Sequence, residues 1–330
     1  MNPKVRQALA LLAQLEELGK NDPSAKALIE QKRRELAKLT AGAGREEQKK
    51  IIELAKTVMP NLEEAPEVER AKANQVVADF MTTATASVYD KVTQADFVKD
   101  LKERVNDPEK VDQDSLNLCG PAAYCVLWAK HDPEGYAKAA IELYKKGSYT
   151  YNGKTITANE DVYEQTPPSG MSPVDWMMLA AIRHNENAIF DYNPKTDKGH
   201  AAFTTHWELT AWLSNIVGVS EYRDGSPTVA KINTAFNANK TVVLLVDWGQ
   251  ISKNNNKKGK GGSKKSGKPD SYINSVTGNH YIIMASPIVT NGEQLEFTIW
   301  TWAQHRNIVL DKVHFEVAVK DSFTVNDTNQ

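Results

Sequence analysis

Apolar residues recur at helical spacing through the first third of the chain. Leu11, Leu15 and Leu18 fall three and four positions apart within residues 5–18, and Gly19 comes next as a stop. Leu28, Leu36 and Leu39 repeat the pattern within 24–39, ahead of Gly42-Ala43-Gly44. Ile51, Ile52, Ala55 and Val58 continue it within 45–59, and Pro60 ends that run. Two further helices are expected over about 66–88 and 94–105. Residues 1–105 thus read as an all-helical N-terminal region, either a bundle packed on the second domain or an arm that docks a partner or a secretion apparatus.

The pattern changes after the turn at Asn106-Asp107-Pro108. An apolar helix is expected from Cys119 to about residue 130, and an amphipathic one over 133–146 with Gly147 behind it. Tyr149-Thr150-Tyr151, Asn152-Gly153 and Lys154-Thr155-Ile156-Thr157 form a hairpin pattern with a type I′ turn. Ser172, Pro173 and Asp175 supply a serine cap, a first-turn proline and an early acid to a helix through Trp176, Leu179, Ala180 and Ile182. Helices are also expected over 206–217 and 227–238. Strands are expected over 241–248, 280–288, 295–302 and 313–319, which are rich in β-branched and aromatic residues. Helices first and an antiparallel sheet last make residues 106–330 an α+β domain. Residues 252–268 hold seven lysines, three asparagines, four glycines and no acid, and read as a mobile surface loop.

A chain of 330 residues has room for two units, and 41% hydrophobic with 25% charged residues supports an ordinary core. Trp128, Trp176, Trp207, Trp212 and Trp248 read as core and cleft walls. A net charge of −2 argues against the whole molecule binding nucleic acid electrostatically. No phosphate-cradling glycine motif is present, so no nucleotide chemistry is expected. His200 and His206 lack a convincing metal-ligand spacing, and neither a metal nor a cofactor is expected. No apolar run reaches transmembrane length, so no membrane span is expected. Met1-Asn2-Pro3-Lys4 opens a charged helix without a signal-peptide core. The expectation is a soluble protein whose export, if any, needs no cleaved signal.

Two cysteines occur, Cys119 and Cys125. Six positions apart on one helix they point roughly 240° apart, which argues against a disulfide between them. Cys119 opens its helix, where unpaired N–H groups and the positive dipole end favour a thiolate. Gly120 permits close backbone approach there, and Pro121 has no N–H to waste in a first turn. The Cys119 N–H could face an oxyanion, with the Gln113 side-chain amide as a second donor. Cys125 reads as core.

Gln113-x5-Cys119-Gly120-Pro121-Ala122-Ala123 resembles the start of the papain-like cysteine peptidases, most of all the branch with bacteriocin-processing peptidases and bacterial effector or toxin protease domains. The resemblance covers roughly residues 110–320, including Pro173-Val174-Asp175-Trp176 and Asn279-His280-Tyr281. It implies a papain-like fold and a cysteine protease or amide hydrolase. Cys119 would form a thioester, His280 would be the base, and Gln113 would help hold the oxyanion. The family places Asn or Asp on the next strand, beside a shielding tryptophan. Trp302 matches that tryptophan, but the orienting position falls on Trp300 or Thr301. A dyad, or a third partner in Thr301, Gln304 or a backbone carbonyl, is therefore expected. The resemblance also implies a protein or peptide substrate, a bacterial setting with delivery into another cell, and an immunity or secretion partner. Two rivals stay open: a deamidase or acyltransferase using the same thioester, and a catalytically weak binding module on the same fold.

Overall fold

The computed structural model describes residues 66–114, 116–168, 170–186, 204–238, 240–255 and 279–327. The helices expected before Pro66 and most of the lysine-rich segment lie outside the described residues. The chain divides into two compact units. Among the described residues, those up to Val111 group with those of Cys125–Asn193, and Asp112–Tyr124 groups with those from Pro194 onward.

The first unit is mostly helical. Its helices are α1 (Pro66–Met81), α2 (Gln94–Asn106), the later part of α3 (Cys119–His131), α4 (Pro133–Lys146) and α5 (Pro173–Glu186). Caps set their ends. The Thr93 side chain accepts the Asp96 N–H ahead of α2. Asp132 accepts the Gly135 N–H ahead of α4, and Gly147 closes that helix at φ 71°. Ser172 Oγ accepts the Asp175 N–H at 3.1 Å, as its cap position predicts. Between α4 and α5 lies the expected hairpin, β1 (Ser148–Tyr151) with β2 (Lys154–Thr157), turned by Asn152 at φ 44° and Gly153 at φ 78°. The Trp128 ring packs on Tyr136, Tyr149 and Tyr151. Deeper in, Arg104 grips Asp175, Nη2 to Oδ2 at 2.7 Å and Nε to Oδ1 at 3.2 Å, with Asp175 fully buried.

The second unit is built on an antiparallel sheet. After α6 (His206–Leu213) come β3 (Val219–Asp224), α7 (Val229–Asn237), β4 (Thr241–Val246), α8 (Trp248–Asn254), β5 (His280–Met284) and β6 (Val289–Asn291). The remaining elements are β7 (Gln294–Thr301), β8 (Gln304–Asp311), α9 (Lys312–Ala318) and β9 (Val319–Asp327). The strand order is β3-β9-β4-β5-β7-β6, with β8 also paired to β7. β4 is apolar on both faces, with Val242 to Val246 all buried, as a central strand should be. One face carries a core of Val242, Leu244, Ile282, Ile299 and Phe315, among others.

The chain as described is therefore α+β. One expected strand is a helix: 313–319 folds largely into α9. Asp311 caps it by accepting the His314 N–H at 2.8 Å. Val313, Phe315, Val317 and Val319 alternate in sequence like a strand, yet Val313 and Val317 are exposed while Phe315 and Ala318 are buried three apart. The expected loop also starts too early, since α8 runs through Asn254. The Asn255 side chain then accepts the Val309 N–H at 2.9 Å.

Candidate functional site

His280 is the first residue of β5 and is 5% exposed. Its position is set by two ties at the preceding residue, Asn279. The Asn279 N–H donates to the Val246 carbonyl at 2.8 Å, and Asn279 Oδ1 accepts the Trp248 N–H at 2.8 Å. This second bond seats Trp248 beside the imidazole, ring centroids 5.3 Å apart and edge-on.

Among the described residues the imidazole has one polar partner of close geometry. His280 Nε2 lies 2.6 Å from Thr301 Oγ1, with Thr301 1% exposed at the end of β7. The next residue, Trp302, stacks on the ring at 4.1 Å between centroids and 14° between planes. Trp302 and Ala303 form the two-residue turn into β8, closed by the Thr301–Gln304 pair, with φ 48° and 52°. Left-handed backbone at a bulky residue is costly, on the order of 1–2 kcal/mol. Asn-Gly would sit here without strain. The turn therefore holds Trp302 over His280 against its own backbone preference, a form of strain that concentrates at functional sites. The Arg306 guanidinium lies over Trp302, 5.1 Å from the ring centroid.

These surroundings keep His280 neutral. Burial is the main cause and the Arg306 charge adds to it, so the imidazole is pushed down to about 3. A neutral ring can act as a base or as a hydrogen-bonding group.

Cys119 begins α3 as expected and is half-buried, and it belongs to the same compact unit as His280. Thr204 lies between the start of α3 and Tyr281 of β5. A Cβ at Gly120 would run into the Thr204 side chain, which explains the glycine after the cysteine. Thr204 in turn accepts the Tyr281 hydroxyl on its carbonyl at 3.2 Å. The Tyr281 phenol is raised well above the usual range, chiefly by burial and next by charge at Cys119. Side chains alternate along β5, so His280 shares a face with Ile282 and Met284, and Tyr281 faces the other side.

Gln113 lies six residues before Cys119 in a tight turn. Leu116 N–H donates to the Gln113 carbonyl at 3.1 Å, and Asp114 takes φ 51° with its N–H on Asp112 Oδ1. The Gln113 side chain is 5% exposed, and its Oε1 has no hydrogen-bond partner among the described residues. A half-turn of the amide exchanges its oxygen and nitrogen, so this buried end can equally present a donor.

Of the two side chains expected as third partners, Thr301 reaches His280, whereas Gln304 is exposed at the start of β8. Cys125 is fully buried, and burial pushes its thiol well above the usual range, with Asp175 adding to the shift. Two neighbours of the imidazole escape sequence reasoning. Trp248 reads only as core or cleft wall, although Asp-Trp before a helix and Asn279 before His280 are both visible signals. Arg306 carries no signal, because its role depends on a hairpin whose turn has unfavourable residues. Among the described residues, no group of three or more histidines, cysteines and carboxylates could hold a metal, and no helix is long and apolar enough to cross a membrane. Comparison with family models, curated proteins and solved structures finds no match to this chain.

Proposed function

We propose that the second unit is a papain-like thiol hydrolase that cleaves a protein or peptide amide. The observation that carries the reading is the His280–Thr301 hydrogen bond beneath Trp302, in a unit where a half-buried cysteine opens a helix. With Nε2–H donated to Thr301, the bare lone pair sits on Nδ1, where a base for an incoming thiol proton needs it. Thr301 and Trp302 then do the orienting that Asn or Asp does in the family this chain resembles.

The Cys119 thiol would pass its proton to His280 as sulfur bonds to the acyl carbon. The Cys119 N–H and the Gln113 amide would hold the oxyanion. Collapse breaks the carbon–nitrogen bond, and the leaving amine takes the proton from His280. Water, deprotonated by the same imidazole, then attacks the thioester, releasing the acid and restoring the thiol. A second reading is a weakly catalytic binding module. The low basicity of His280 and a hydroxyl in place of a carbonyl partner favour it.

Wild type and Cys119→Ala, each incubated with a whole-cell extract, separate these readings by the new N-termini they produce. New N-termini with wild type alone are expected, since losing a covalent nucleophile removes several orders of magnitude in rate. Amide side chains turned to acids without new N-termini would mean deamidation. No chemical change from either protein would leave the binding module.

A further inference from the structure

We infer that Arg306 is a specificity residue of this site, reading a carboxylate on the substrate, and that the site takes acidic peptides. This rests on the reading of His280 as the base. Arg306 is the third residue of β8 and is exposed. Its guanidinium lies 5.1 Å from the Trp302 centroid, and Trp302 lies 4.1 Å from the His280 ring. A full positive charge therefore stands one aromatic ring away from the group that would receive the thiol proton. Among the described residues Arg306 makes no ion pair. Its strand neighbours Gln304, His305 and Asn307 are exposed and bring no negative charge.

This placement is unfavourable for the reaction unless the charge is answered. A cation beside His280 opposes the imidazolium that must form during thiol activation. Among the described residues, the other groups near His280 do not answer it. The Asp247 carboxylate is committed to capping α8, accepting the Gln250 N–H at 3.2 Å. Tyr281 lies on the opposite face of β5, its phenol held in the neutral form. A substrate carboxylate would pair with the guanidinium in its planar two-pronged geometry while the Trp302 face supports the cation. The same contact would offset the repulsion felt by His280, so an acidic substrate would be bound and also helped through the proton transfer.

The test uses the full chain and peptides from a digested whole-cell extract. Sites cut by wild type but not by Cys119→Ala are identified, and the best are resynthesised with each nearby Glu or Asp replaced by its amide. Wild type should favour the acidic member by at least about tenfold in kcat/KM, the size of one charge-assisted hydrogen bond. Arg306→Gln should bring the acid-to-amide ratio close to one, and Arg306→Lys should keep part of the preference. Arg306 is exposed, so these variants should fold, and matching circular dichroism would establish that they do. Equal ratios in wild type and Arg306→Gln would overturn the inference while leaving the cysteine reading intact. A wild type that cuts nothing would overturn both.

Discussion

Two hairpins in this protein turn through the same backbone geometry with opposite chemistry. The β1–β2 turn uses Asn152-Gly153 at φ 44° and 78°, and the β7–β8 turn uses Trp302-Ala303 at φ 48° and 52°. Both link strands that close on a directly opposed pair, Tyr151–Lys154 and Thr301–Gln304. The first turn asks nothing of its surroundings, because glycine and asparagine accept left-handed backbone. The second is held in place by its neighbours: His280 stacked on Trp302, Trp248 edge-on at 5.0 Å and Arg306 over the ring. A turn that needs such support marks the place where a side chain is being aimed.

At neutral pH, making the first turn resemble the second should have the largest effect. Asn152→Trp with Gly153→Ala imposes two unfavourable left-handed residues on an exposed turn. A loss of about 2–3 kcal/mol in urea unfolding is expected, from roughly 1–2 kcal/mol per residue. A loss well under 1 kcal/mol would mean that the geometry costs little and that the Trp302 turn stores no strain.

The effect that appears only on acidification comes from the imidazole beneath the second turn. His280 is held near 3 in the folded protein, against an ordinary value of 6.5, so between these values the unfolded chain binds the extra proton. Its contribution to stability is complete above pH 6.5 and is lost as pH falls towards 3, at about 1.4 kcal/mol per pH unit. Unfolding of wild type and His280→Ala across pH 4–7 should show a steeper acid loss in wild type. Parallel curves would mean that His280 is not buried as a neutral ring.

The smallest effect should come from easing the second turn. Ala303→Gly removes one left-handed penalty but adds freedom to the unfolded chain, for a net gain of up to about 1 kcal/mol. Trp302 keeps its place, so activity should persist. Destabilisation by Ala303→Gly would show that the turn is relaxed as it stands.

The same contrast explains what can be read from the sequence. Asn-Gly between alternating residues announces a hairpin, and the serine cap of α5 and the glycine after α4 announce helix ends. The start of α3 at Cys119 and of β5 at His280 are legible because each sits at a change of texture beside Gly or Asn. β8 is not legible, because Trp-Ala does not read as a turn and because Gln304 to Asn307 are all polar. The helix α9 reads as a strand because seven residues are too few for a period of 3.6 to outweigh alternating valines. Long-range placements, such as Arg306 over Trp302 or Arg104 on Asp175, depend on tertiary pairing that no local pattern encodes.

The central claim is that His280 acts on Cys119, and the rate of Cys119 alkylation measures that coupling directly. Wild type and His280→Ala would be treated with iodoacetamide at pH 6, with labelling at Cys119 and Cys125 tracked by peptide mass. Cys119 of wild type should react at least about tenfold faster than Cys119 of His280→Ala, because only a base-assisted thiol is nucleophilic at that pH. The buried Cys125 should stay unlabelled in both while the protein is folded. Equal Cys119 rates in the two proteins would disprove the pairing and, with it, the hydrolase.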